Sequence, residues 1–132
     1  MNTNTKKATK AFIGFLIAFL VIDAIWIAVA GLDLYEAQVG SLLSEQPRML
    51  SAGIFYLGYA AGAVYLTVVN SVSWRNTLVK GAVLGGLAYG TYGVTNYAML
   101  ADWTYQLFII DTIWGAFVTG TSALVGFICH KS

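Results

Sequence analysis

Two aspartates stand alone in long apolar stretches, and each opens the same pattern: Asp23-Ala24-Ile25-Trp26 and Asp111-Thr112-Ile113-Trp114. A third apolar stretch holds Thr91-Tyr92-Gly93-Val94-Thr95-Asn96. Polar groups in hydrocarbon are costly unless they meet one another, so these three places are expected to converge. Such a set can exchange protons, hydrogen-bond a bound molecule, or supply an acid and a base from the two carboxyls. Asp23, Asp111, Tyr92 and Asn96 lead the candidates. Tyr56 adds a hydroxyl from a further stretch. Trp26 and Trp114 share a helical face with their acids at i, i+3, and Thr95 pairs with Thr91 at i, i+4. The competing structural reading is that the acids bond to tyrosine and asparagine simply to lock helix packing, while the tryptophans anchor at an interface and the threonines bond back to their own helix.

The surroundings decide what solvent these residues meet. Of 132 residues, 58% are hydrophobic and 10% charged, against roughly 25% charged in a soluble domain. Mean hydropathy is +0.72. The chain is therefore expected to have the lipid bilayer as its first partner. A formal net charge of +1 with dispersed basic residues excludes a nucleic-acid surface. The single Cys129 has no internal disulfide partner, and adjacent Cys129 and His130 point different ways on a helix, so no metal and no cofactor is expected.

Hydropathy places four spanning helices at about 8–31, 49–69, 78–100 and 105–129, one transmembrane domain over residues 1–132. The fold class is all-α, an integral membrane four-helix bundle. Although Lys6, Lys7 and the Ala28-Val29-Ala30 triplet resemble a signal peptide, the apolar run is too long for one and holds an acid, so the first helix is expected to stay uncleaved. Residues 32–48 carry Leu34, Tyr35, Val39, Leu42 and Leu43 at helical spacing, which predicts a short amphipathic helix in the first external loop. The short turn around Asp102 and Trp103 makes the last two helices antiparallel neighbours. The pairs Gly58/Gly62, Gly81/Gly85 and Gly86/Gly90 are expected to let helices approach closely, with a homodimer face as the alternative. Lys6, Lys7, Lys10, Arg75, Lys80 and Lys131 fall on one side and most acids on the other, so both termini are expected in the cytoplasm, with the chain multi-pass in the inner membrane. Trp74 and Trp103 lie at segment ends, as interfacial anchors do.

At about 1.5 Å of rise per residue, Asp23 lies about 12 Å below the outer end of its helix, Asp111 about 9 Å, Tyr92 about 12 Å, Asn96 about 6 Å and Tyr56 about 10 Å. Every helix thus contributes a polar group at one depth, and Tyr89, Tyr92 and Asn96 share a face. Two carboxylates in one layer of low dielectric do not readily both ionise, so at least one is expected to hold a proton and to bond Tyr92, Asn96 or the other acid. Ile22–Ala28 matches 110–116 at five of seven positions, too short a match to establish an inverted repeat.

The motifs Asp23-x-x-Trp26, Tyr35-x-x-Gln38-x-Gly40, Phe55-Tyr56-x-x-Tyr59, Tyr89-x-Thr91-Tyr92-x-x-Thr95-Asn96-x-Ala98 and Asp111-x-x-Trp114-Gly115 resemble a bacterial family of small predicted membrane proteins, domain of unknown function twenty-one seventy-seven. The resemblance runs over about residues 11–126 and implies a four-helix inner-membrane protein without an assigned activity, cofactor or partner. The family pattern carries an acid where this sequence has Gly93. Three functions remain open: a protein that binds or transports a small or lipid-like molecule through the polar layer; a membrane-embedded enzyme using the acid pair on a lipid or isoprenoid; and a structural or assembly subunit. A narrow bundle that transports is expected to do so as a dimer. An opening beside the acids, toward water or toward lipid, separates them.

Overall fold

The computed structural model describes residues 2–31, 49–101 and 103–132. The loop at 32–48, with its expected amphipathic helix, lies outside them, as does Asp102.

Among the described residues, four α-helices follow the four apolar segments: α1 (Thr3–Trp26, continued by a π-helical turn over Ile27–Gly31), α2 (Met49–Thr67), α3 (Trp74–Met99) and α4 (Tyr105–Lys131). Polar residues at their starts satisfy amide groups that a helix leaves unpaired. Asn2 Oδ1 accepts from the Thr5 N–H at 2.8 Å, Ser73 Oγ from Asn76 at 3.1 Å, and Thr104 Oγ1 from Leu107 at 3.1 Å. The Ser73 cap starts α3 one turn earlier than hydropathy alone suggests, because a cap can begin a helix in polar sequence.

Glycine sets the tightest contact. A Cβ on Gly85 would overlap the carbonyl of Gly115, and one on Gly81 would lie 2.9 Å from both Gly120 Cα and Ala123 Cβ, so α3 and α4 run antiparallel in backbone contact. α1 meets the far end of α4 in the same way. A Cβ on Gly126 would approach the Ala11 carbonyl at 3.1 Å, and Lys10 Nζ donates to the Ser132 carbonyl at 3.2 Å. The other expected glycine pairs behave differently. Gly86 and Gly90 make only ordinary contacts, and nothing comes within 4 Å of a Cβ on Gly58 or Gly62. α2 packs through Ala60, Ala63, Val64 and Val68, which turns its glycine pair away from the bundle.

The core is the row Ala11, Phe15 and Phe19 of α1 set against those α2 residues and Val118, Ala123 and Phe127 of α4. Outside it, rows of aliphatic residues four apart stand exposed: Ile13, Ile17, Val21 and Ile25 on α1, Val79, Val83 and Leu87 on α3, and Ile109, Ile113 and Phe117 on α4. Soluble monomers do not expose continuous apolar rows on every helix; a lipid solvent suits them. By length and composition, Thr3–Val29 and Tyr105–Lys131 are each apolar enough to cross a membrane, with mean hydropathy 2.6 and 1.5, and Gly53–Thr67 is a shorter apolar helix. Of the expected anchors, Trp74 is 50% exposed and carries Arg75 over its ring, whereas Trp103 is only 8% exposed. Trp103 instead packs edge-on against Tyr92, with centroids 5.7 Å apart.

Candidate functional site: an aromatic cleft beside Asp23

Antiparallel packing of α1 and α4 brings the two matched motifs together. Trp114 Nε1 donates to Asp23 Oδ1 at 3.2 Å, and the rings of Trp26 and Trp114 stack at 4.6 Å with planes 17° apart. The Asp23 partner is thus neither Tyr92, Asn96 nor Asp111, as expected from the sequence, but the tryptophan of the opposing motif. The reason is packing: α1 lies against α4, the helix that carries Trp114, rather than against α3, the helix that carries Asn96. Asp111 lies one turn before Trp114 on α4 and is only 3% exposed.

Tyr89 of α3 packs on α4: its ring lies so close to Gly115 that a Cβ there would overlap it. Only glycine at position 115 leaves that ring its place. Tyr59 of α2 is held from the other side by a 2.8 Å hydrogen bond with Thr119 Oγ1 of α4. Phe19, one turn before Asp23, tilts against Tyr56 and Tyr59 with centroids 5.7 and 5.6 Å away, and Phe55 stacks on Tyr59 at 6.1 Å.

These rings surround a cavity of about 530 Å³, walled by Phe19 of α1, Phe55, Tyr56 and Tyr59 of α2, and Ala88, Tyr89 and Tyr92 of α3. Its lips are Phe55 and Tyr92, both more than half exposed, so the cleft opens sideways between α2 and α3. Asp23 is not a wall residue; it lies one turn beyond Phe19 on the same face of α1. Of the sequence candidates, then, Tyr56 and Tyr92 line the cleft, while Asp23, Trp26 and Trp114 form a linked group outside its wall. Asp111 lies outside its wall, as do Asn96 and the exposed Thr95. Asn96 bonds through its backbone, its carbonyl accepting from Leu100 at 2.8 Å. Among the described residues, no three of His, Cys, Asp and Glu gather as metal donors.

A family model described as "Predicted membrane protein (DUF2177)" matches residues 8–128. The chain belongs to the DUF2177 family. No curated protein and no solved structure matches it. In this DUF2177 protein, the sequence candidates leave out five wall residues, Phe19, Phe55, Tyr59, Ala88 and Tyr89, of which Phe55, Tyr59 and Tyr89 stand in the motifs but not in the candidate site. Two signals pointed to them: Phe19 precedes Asp23 by one turn, and Tyr89 begins the Tyr89, Tyr92, Asn96 stripe. Aromatic rings in a membrane helix are ordinarily lipid-facing or core, and spacing does not distinguish those fates from a cavity wall.

Proposed function

We propose that this chain is a multi-pass inner-membrane protein that binds or transports a small or lipid-like molecule at the cleft between α2 and α3. One observation carries this reading: a cavity of about 530 Å³ is walled by six aromatic rings from three helices, with the half-buried carboxyl of Asp23 one turn beyond its Phe19 wall. Pockets of this size and lining are typical of small-ligand sites, and an acid inside a membrane segment marks function more often than packing. A general acid–base enzyme needs both acids in one cavity, whereas neither Asp23 nor Asp111 is part of the cleft wall; binding is therefore favoured over acid–base catalysis.

Orientation follows from charge. The start of α1, the start of α3 and the end of α4 lie at the same end of the bundle, and they carry Lys6, Lys7, Lys10, Arg75, Lys80 and Lys131. The positive-inside rule supports placing that end, with both termini, in the cytoplasm. The cleft then faces the outer leaflet, and a ligand enters from the lipid. Native mass spectrometry of protein extracted from membranes tests the reading: a bound small molecule or lipid is expected on the wild type and is lost in Ala88→Trp, which fills the cleft. Identical adducts on both proteins would overturn it.

A further inference from the structure

The chemistry of the cleft points beyond an unspecified ligand. Six of its seven wall residues are aromatic, and they come from three helices. Phe55 and Tyr59 are near parallel at 12°, while Phe19 is tilted by 54° and 58° to Tyr56 and Tyr59, so ring faces and edges close on the space from several directions. Ring faces carry negative electrostatic potential and attract cations, most strongly where water is excluded. The carboxyl of Asp23 lies one turn beyond Phe19 on the same face of α1, and the wall contributes no cationic side chain. Among the described residues, Lys and Arg are confined to the opposite end of the bundle. An anion would meet this carboxyl and the ring faces with no cationic side chain in the wall to offset them. A hydrated metal ion would lose its shell to apolar walls. The sideways mouth between Phe55 and Tyr92 admits a molecule with an apolar part.

We propose that the cleft takes an amphipathic organic cation, an alkylated or protonated ammonium joined to an apolar group, with the charge held among the tyrosine rings beside Asp23. This rests on the reading of the cleft as a binding site, and the test separates the two. The probes are benzyltrimethylammonium and neopentylbenzene, its uncharged carbon isostere. They are titrated by saturation-transfer NMR against the full chain in uncharged maltoside micelles, where neither anionic lipid nor a choline headgroup competes. Signal that persists in Ala88→Trp is micelle background. The expected result is that the ammonium binds the wild type at least about tenfold more tightly than its isostere, consistent with a desolvated aromatic site. Asp23→Asn should weaken the ammonium by a similar factor and leave the isostere unchanged, whereas Asp23→Glu restores it. Asn at position 23 still accepts from Trp114, which keeps the helix contact. Equal binding of the two probes in wild type, both lost in Ala88→Trp, would overturn the cation preference while the binding site stands. No Ala88-dependent signal from either probe would overturn both.

Discussion

The hydrogen bond from Trp114 to Asp23 offers the sharpest test of how the two matched motifs are joined. Its donor–acceptor distance of 3.2 Å lies at the long end of the range for N–H···O bonds. Interhelical hydrogen bonds within membranes average about 0.6 kcal/mol and reach about 1.7, while one to a charged group can contribute about 1.5–3 kcal/mol. A long bond to a half-buried carboxyl should therefore contribute about 1 kcal/mol. Trp114→Phe removes the donor but keeps a ring against Trp26, so it loses the bond and little of the stack. Asp23→Leu removes the acceptor and substitutes an apolar side chain of similar size. Each single change mixes bond loss with packing and solvation, so the double-mutant cycle is the informative quantity. Unfolding in mixed micelles with increasing dodecyl sulfate, followed by circular dichroism, should give a coupling of about 1 kcal/mol. A coupling below about 0.3 kcal/mol would mean that the motifs merely lie side by side.

Two glycine substitutions should move stability in opposite directions. Gly85→Ala places a Cβ on the Gly115 carbonyl and should cost about 2 kcal/mol or more, because backbone cannot yield as a side chain can. Gly62→Ala meets nothing within 4 Å and should be neutral or stabilising by up to about 1 kcal/mol from helix propensity. Thermal unfolding in maltoside micelles measures both, and equal effects would refute the assigned α3–α4 interface. Gly115→Ala should drive Tyr89 from its place and reduce probe binding more than it reduces stability, compared by the same NMR titration and melting curves. Asn96→Ala, outside the cleft wall, should leave the ammonium titration unchanged; loss of binding would place the site farther toward the Met99 end of α3.

Much of the architecture was legible along the chain because it is one-dimensional. Span length, helix order and the antiparallel course of α3 and α4 follow from apolar runs, turn length and the fixed rise of a helix. What depth cannot convey is direction around the helix axis. Gly81/Gly85 and Gly58/Gly62 are the same four-residue pattern, yet one pair is pressed against α4 and the other faces outward, because the α2 contacts are chosen by Tyr59, Ala63 and Val64. Likewise, the partner of Asp23 was set by the packing of α1 on α4, which brings Trp114 to it. The aromatic cleft exists because α3 packs on α4 and α2 on α1, which leaves space among the rings of α1, α2 and α3. No residue spacing encodes a gap; it is what remains after rigid cylinders with different side chains have packed.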